Sequence, residues 1–414
     1  MREDSMRIIN NKGVCDPHVH IFNGRAYMFT THDRGPGQPI FRMDDWRVFS
    51  SDDLLNWRLE YTLRPEDTFL GKCEECYATD AAERNGKYYM YFSHQQYCIG
   101  VAVSDSPGGP YRDALGKPLI PKGMVDTACY DPTVFIDDDE NKTPYIMFGF
   151  TCIGKKYYIA KLNEDMISLA EPPRPVDVTP NWDSDACWIT KHNGVYYLTT
   201  HEARFATSDS IYGPYTYHGK FMYDYTVDHG TFFTYHNQTY FTYGIPENLG
   251  DEKIDPYYRT TKIVYAHYRD NGDIVTDDFI KIHGVGHYDA SWEEIKGEWF
   301  FAASDGVYKR ENEEGFELAG IKNGSYLYYP NIANMRQNET LILRAGKVSD
   351  TPVGVEIREG SPFGAVLGCA VITNSEYTDI KTELENAYGA HGLCFVFRNG
   401  EACFDGFKFE KVRP

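Results

Sequence analysis

The stretch Tyr130-Asp131-Pro132-Thr133-Val134-Phe135-Ile136-Asp137-Asp138-Asp139 opens with an acid followed by proline. It runs on as a short apolar strand, turns on three acids and returns as Tyr145-Ile146-Met147-Phe148. An acid at the mouth of a buried strand is costly unless it is paired or does chemistry. The same outline recurs along the chain, so its reading decides the fold.

Unit one runs from Asp16-Pro17-His18-Val19-His20-Ile21-Phe22 through Asn23-Gly24 to Tyr27-Met28-Phe29. Unit two is Asp80-Ala81-Ala82, Asn85-Gly86 and Tyr88-Tyr89-Met90-Tyr91-Phe92; unit three is the opening stretch. Unit four is Asp185-Ala186-Cys187-Trp188-Ile189, Asn193-Gly194 and Tyr196-Tyr197-Leu198. Unit five is Asp228-His229-Gly230-Thr231-Phe232-Phe233, a turn at Asn237, and Tyr240-Phe241-Thr242-Tyr243. Asn-Gly between apolar runs is a strong hairpin signal. The unit starts (16, 80, 131, 185 and 228) leave room for four strands each. Ser104-Asp105-Ser106-Pro107-Gly108-Gly109-Pro110-Tyr111 is echoed by Ser208-Asp209-Ser210-Ile211-Tyr212-Gly213-Pro214-Tyr215. Helical periodicity is nearly absent. The pattern predicts an all-β chain whose residues 1–285 form a five-bladed β-propeller, each first strand carrying its opening Asp toward the axis. After about residue 285 the unit stops while strand-like runs continue, such as Tyr326-Leu327-Tyr328-Tyr329 and Leu393-Cys394-Phe395-Val396-Phe397. Residues 286–414 are predicted to be a β-sandwich of jelly-roll type.

The formal charge of −20 argues against nucleic acid or an anionic membrane as partner and fits a neutral substrate. Tyrosine is abundant, with 33 residues; it suits sheets and also surfaces that stack on sugar rings. No apolar run is long enough to span a bilayer. Met1-Arg2-Glu3-Asp4-Ser5-Met6 has no apolar core of a leader, so a cytoplasmic location, or a trimmed secreted form, is expected. The ten cysteines are scattered, as suits a reducing compartment; Cys73-x-x-Cys76 lacks a second ligand pair and reads as packing.

Several carboxylates aimed at one cavity suit glycosidic-bond cleavage. That reaction needs one carboxylic acid to protonate the leaving oxygen and one carboxylate to activate water or attack. A third acid can hold a proton on the donor by like-charge repulsion. The candidates are Asp16, Asp80, Asp131, Asp185 and Asp228. One Asp-Pro alone would be a turn cap; five in one slot of five units point to function. His229 would stand at the cavity floor, holding water or a cation. His32 and Asp33 would lie near the rim, and Trp46 and Trp188 are candidate sugar platforms.

These residues resemble glycoside hydrolase family 43. The similarity rests on Asp16-Pro17-His18-Val19, the Tyr130-to-Asp139 stretch, Ile99-Gly100-Val101-Ala102-Val103-Ser104-Asp105-Ser106 with Gly109-Pro110-Tyr111, and His229-Gly230, over residues 10 to 285. The resemblance implies a five-bladed propeller that hydrolyses with inversion, as a β-xylosidase or α-L-arabinofuranosidase on plant oligosaccharides. It implies Asp16 as general base, Asp131 as the tuning and orienting acid, and roles for His229 and Arg259. The family's general acid is Glu, whereas Ser184-Asp185-Ala186-Cys187-Trp188 places Asp185 in that slot, one methylene shorter. The alternatives are a degenerate sugar-binding propeller or a glycosidase for a different sugar, with Glu202 and Glu75 as fallback acids. Residues from about 288 onward resemble carbohydrate-binding module family 6 at Ile321-Lys322-Asn323-Gly324-Ser325-Tyr326, Gly389-Ala390-His391-Gly392-Leu393 and Phe404-Asp405-Gly406-Phe407. That resemblance implies a structural calcium, with Asp405, Glu293 and Glu294 as candidate ligands. No cofactor is expected for the chemistry, and the expected partner is a small oligosaccharide.

Overall fold

The computed structural model describes residues 13–152, 154–223, 227–248, 254–390 and 392–411. The leader reading of residues 1–6 and the quoted His391 lie outside them. The protein is nearly all-β, and among the described residues the one α-helix is Asp278–His283. Among the described residues no helix is long and apolar enough to cross a membrane.

Residues 14–276 build five sheets. The first holds Val14–Phe22, Arg25–Asp33, Met43–Ser51 and Arg58–Leu63. The second holds Cys76–Arg84, Lys87–His94, Cys98–Ser104 and Arg112–Asp113. Thr133–Ile136, Pro144–Cys152, Lys155–Lys161 and Arg174–Val176 make the third. The fourth is Trp188–His192, Val195–Thr200, Arg204–Ser208 and Tyr215–Lys220, with Val178–Thr179 added in parallel at its outer edge. The fifth is Gly230–Tyr235, Gln238–Asn248, Ile254–Tyr268 and Ile274–Thr276.

The hairpins form where the sequence signals them. Asn23-Gly24, Asn85-Gly86 and Asn193-Gly194 all carry positive φ at both central positions, the geometry that matches strand twist; His236-Asn237 does the same in the fifth sheet. The two Gly-Pro-Tyr echoes fold alike as well. Tyr111 Oη donates to the Pro107 carbonyl at 2.8 Å and Tyr215 Oη to the Ile211 carbonyl at 3.0 Å.

The first strands of the five sheets adjoin one another in sequence order, and the first sheet's strand Val14–Phe22 also adjoins the fifth sheet's Gly230–Tyr235. Among the described residues no sheet closes on itself. Tyrosine hydroxyls bridge many of the seams. Tyr91 Oη bonds the Met166 carbonyl (2.7 Å), Tyr157 Oη the Ser184 carbonyl (3.0 Å), Tyr196 Oη Asp137 (2.6 Å) and Tyr197 Oη the Gly272 carbonyl (3.0 Å). A ring that packs apolar and ends in a donor can fill a seam while satisfying an orphan carbonyl beyond it. Part of the tyrosine excess is therefore spent on seams between sheets. At the seam between the first and fifth sheets, Thr261 Oγ1 donates to Val14 O at 2.8 Å and Thr231 Oγ1 to Pro17 O at 3.2 Å.

Beyond the helix, two further sheets face one another. One carries Tyr308–Asn312, Gly315–Ile321, Ala402–Phe409, Glu339–Lys347 and Thr378–Leu384. The other carries Ala302–Ala303, Tyr326–Pro330, Gly392–Arg398, Val353–Glu359 and Val366–Ile372. Leu318, Leu341, Phe404 and Phe407 of the first meet Leu327, Val355, Ile357 and Phe395 of the second in one core. That core continues into Phe233, Tyr240 and Tyr265 of the fifth sheet. Gln238 Nε2 donates to Glu298 O (2.9 Å) and Phe300 O (2.6 Å) across the junction.

Tyr91 is fully buried, so Tyr91→Phe strands the Met166 carbonyl without a donor. The expected loss is about 1–3 kcal/mol, seen as a lower urea midpoint at unchanged slope.

Candidate active site

Four of the five opening acids converge. Asp16 lies in a bulge of the strand Val14–Phe22, where the register shifts between Cys15 and His18. Asp131 and Asp185 stand just before the first strands of the third and fourth sheets, and Asp228 just before that of the fifth. Asp16 and Asp131 each have φ 50°, and Ala186, next to Asp185, has φ 55°. Left-handed backbone is unfavourable for such residues. Three instances around one site, one in a bulge and two just before first strands, mark a place where backbone strain serves side-chain placement.

Arg259, on the strand Ile254–Tyr268, is 2% exposed and binds three of the acids around it. Its Nη1 donates to Asp16 Oδ1 and to Asp228 Oδ2, both at 2.7 Å, and its Nη2 to Asp16 Oδ2 at 3.1 Å. Nη2 and Nε also hold Asp33, at 2.9 and 3.1 Å. Thr31 Oγ1 adds a bond to Asp16 Oδ2 at 2.6 Å. Cys15, Asp16 and Asp228 bring ligand atoms within 4.8 Å of one another, but the guanidinium already supplies the positive charge there.

His229 links the two halves of the site. Its Nε2 lies 3.6 Å from Asp131 Oδ2 and 3.9 Å from Asp16 Oδ1. Burial disfavours the imidazolium, but the surrounding carboxylates of Asp16, Asp131, Asp228 and Asp185 outweigh it and push His229 up to about 8. Burial also raises Asp131, helped by the charges of Asp185 and Asp16 and opposed by His229, to about 8. The two groups face each other, so the protons they hold belong to the pair. Asp228 moves the other way: burial is overcome by Arg259 and His229, and its carboxyl stays well below the usual range.

Asp185 differs from the other acids in exposure: its side chain is 36% exposed, against 2% for Asp16 and 4% for Asp131. Tyr130 Oη donates to Asp185 Oδ2 at 2.8 Å, and His201 Nδ1 lies 4.0 Å from Oδ1. The neighbouring Ala186 N–H donates to Asp131 Oδ2 at 3.3 Å. A half-open carboxyl beside two enclosed ones can meet a solvent-borne group that the enclosed acids cannot reach.

Several expected contacts are corrected. Asp80 is not at a strand mouth: the bulge equivalent to that at Asp16 falls between Tyr77 and Thr79, so Ala78 fills the slot. Asp80 is fully buried, bonded by His20 Nε2 (2.6 Å), the Ala81 N–H (2.7 Å) and the Val134 N–H (2.5 Å), with His18 Nδ1 at 3.2 Å. Burial opposes its charge, but His20 and His18 prevail and bring it down to about 2. It joins three sheets and holds no substrate position. Asp33 is 1% exposed beneath Arg259, away from any rim. Trp46 is wholly buried, its Nε1 donating to Tyr77 O at 2.7 Å. Trp188 is 6% exposed and packs edge-on to His18 at 5.0 Å, so it serves as a wall under the histidines. His32 is half-buried, 3.5 Å from Asp45 Oδ1. The fallback acids are neutralised: Glu202 pairs with Arg204 and Lys220, both at 2.7 Å, and Glu75 with Arg42.

The calcium set does not fit either. Asp405 Oδ2 is bonded by Arg344 Nε at 2.8 Å, while Glu293 is 96% exposed and lies 3.9 Å from Lys411 Nζ, and Glu294 is exposed. Asp405 and Glu293 each face a cation, and among the described residues the three acids do not bring their oxygens together as one ligand set.

Sequence reasoning missed Tyr130, His18, His20 and Thr31. The alternation His18-Val19-His20 directly after Asp16-Pro17 was an available signal for two histidines on one face of a strand.

The family model for glycosyl hydrolases family 43 matches residues 8–274. A xylosidase/arabinosidase of Bacteroides ovatus is 30% identical over 53% of this chain and 81% of its own. The crystal structure of a glycoside hydrolase family 43 arabinoxylan arabinofuranohydrolase from Bacillus subtilis, in complex with cellotetraose, superposes with a TM-score of 0.58 at 21% identity. It covers 99% of this chain and 100% of that one. CoXyl43, a β-xylosidase/α-arabinofuranosidase from a compost microbial metagenome, solved with xylotriose in a calcium-free form, superposes at 0.56 and 26% identity, covering 66% of this chain and 97% of that one. With its acids gathered around Arg259 and His229, and with the family model matching well over half its length, the chain belongs to glycosyl hydrolases family 43.

Proposed function

We propose that the protein is an inverting glycosidase that removes pentose units from plant-derived oligosaccharides, of β-xylosidase or α-L-arabinofuranosidase type. Residues 1–285 form the catalytic five-bladed propeller, and residues 286–414 form a β-sandwich that braces its fifth blade. The names of the relatives support the pentose reading, and the cyclic adjacency of the five first strands supports the propeller. The observation that carries the assignment is the convergence of Asp16 and Asp131 on His229, with Asp185 as the one of these three acids half open to solvent.

Asp16 takes a proton from the attacking water as that water's oxygen bonds the anomeric carbon. Asp185 gives its proton to the glycosidic oxygen as the bond to the leaving group breaks. Arg259 and Thr31 fix the orientation of the Asp16 carboxylate. Asp131 anchors the Ala186 N–H and, with His229, keeps a proton close by at neutral pH. Inversion requires the water and the leaving group on opposite faces of the sugar, with the two carboxyls roughly 6.5–9.5 Å apart.

With nitrophenyl β-xyloside and nitrophenyl α-L-arabinofuranoside as substrates, Asp16→Asn is expected to lower kcat by about 10²–10⁴-fold while KM changes little. Tight binding of these sugars by the unaltered protein without turnover would establish a binding protein instead. Proton NMR of the first product is expected to show the anomer opposite to that of the substrate; the retained anomer would overturn the water-activating role of Asp16.

His229 and Asp131 both hold protons more tightly in the folded chain than their ordinary values, 6.5 and 3.8, imply. The stability linked to them is complete at low pH and is lost as the pH rises through 8. The melting temperature is therefore expected to fall from about pH 4, where Asp131 ionises in the unfolded chain, to fall more steeply from about pH 6.5 as His229 joins it, and to level off above about pH 8. Asp131→Asn should flatten that fall; an unchanged slope would remove Asp131 from the titration.

A further inference from the structure

Tyr130 and Asp131 are consecutive, and so are Asp185 and Ala186. The two pairs grip each other across the seam between the third and fourth sheets. Tyr130 Oη donates to Asp185 Oδ2 at 2.8 Å; Asp131 Oδ2 accepts from the Ala186 N–H at 3.3 Å; Cys187 Sγ approaches the Asp131 carbonyl at 3.6 Å. Behind them, the His201 N–H donates to the Asp185 carbonyl at 3.3 Å. Tyr130 is 4% exposed, so its ring is locked in packing, whereas the carboxyl it holds is half open. A short acid with an exposed side chain would otherwise sample several rotamers. One oxygen pinned by a buried phenol leaves Oδ1, with His201 Nδ1 4.0 Å away, as the oxygen to carry the proton.

We propose that Tyr130 is a positioning residue for Asp185, fixing the carboxyl through its hydroxyl so that an aspartate in the acid position delivers its proton along a single direction. This rests on the general-acid role assigned to Asp185 above. When Asp185 passes its proton to the glycosidic oxygen it becomes a carboxylate, and the Tyr130 O–H bond to it turns charge-assisted and strengthens. The tyrosine keeps its own proton throughout. An interaction that is stronger after proton transfer than before lowers the barrier for that step. Its weight depends on the leaving group. A nitrophenolate departs with little protonation, while an alkoxide cannot.

The test compares nitrophenyl and methyl glycosides of xylose and arabinofuranose with three proteins: the unaltered chain, Tyr130→Phe and Asp185→Asn. Tyr130→Phe is expected to lower kcat on the methyl glycoside by about 10- to 100-fold, to change kcat on the nitrophenyl glycoside less than about threefold, and to leave KM nearly unchanged. Equal losses on both leaving groups, or no loss on the methyl glycoside while Asp185→Asn abolishes it, would overturn the role of Tyr130. An Asp185→Asn protein that keeps its rate on both substrates would instead overturn Asp185 as the acid, a separate failure. Should Tyr130→Phe not fold, fluorotyrosines at position 130 keep the shape and the hydroxyl while grading its acidity. The methyl-glycoside rate should then track phenol acidity, and a flat series would overturn the proposal.

Discussion

The buried guanidinium of Arg259 is the constraint on which the rest of this molecule depends. It comes from the third strand of the fifth sheet and meets Asp16 and Asp33 of the first sheet and Asp228 at the fifth sheet's own mouth. The beginning and end of the five-sheet region are thus joined by charge at the same point where the site is built. A buried cation without partners is untenable, and removing one member of a buried pair costs about 3–5 kcal/mol because the other is left uncompensated. The seam and the carboxylates therefore stand or fall together, and the orientation of Asp16 is fixed by the contact that joins the first and fifth sheets.

That contact leaves an excess of negative charge. One guanidinium faces three carboxylates, and Asp131 and Asp185 stand nearby without a guanidinium of their own. The protein meets this imbalance by retaining protons between Asp131 and His229. Proton retention at neutral pH is thus a consequence of how many acids the five strand mouths bring together. The cost in folding is accepted at the same positions where the backbone is strained, Asp16, Asp131 and Ala186. Local discord of this kind is expected where a site and a fold share residues.

The turns were the most legible part of the sequence, because Asn-Gly fixes both the position and the handedness of a hairpin, and a hairpin fixes strand register. Of the five opening acids, Asp16 and Asp131, each followed by proline, share one backbone conformation and lie on either side of His229. Reading the five as one slot failed at Asp80, because a β-bulge moved the matching position to Ala78 and turned Asp80 toward His18 and His20. A bulge of one residue leaves no mark in composition or spacing. Asp33 and Trp46 failed for a related reason: burial depends on which neighbouring sheet covers a strand end, and that is a property of how the sheets pack together. Tyr130 was overlooked because a tyrosine before an apolar strand is ordinary in so aromatic a chain.

The shorter acid is best understood through reach and direction taken separately. Replacing glutamate by aspartate withdraws the carboxyl by up to about one C–C bond length, roughly 1.5 Å. The same change removes one rotatable bond, so fewer rotamers compete with the productive one. The protein has then fixed the remaining freedom from outside, with a buried phenol on one oxygen and a backbone clamp on the next residue. Proton transfer tolerates misplacement poorly, so the orientation of a donor counts beside its reach. A substrate that sits about an ångström nearer the Asp185 carboxyl would restore the missing reach. The shape that admits it is set by the walls around Asp185 and not by the acid itself.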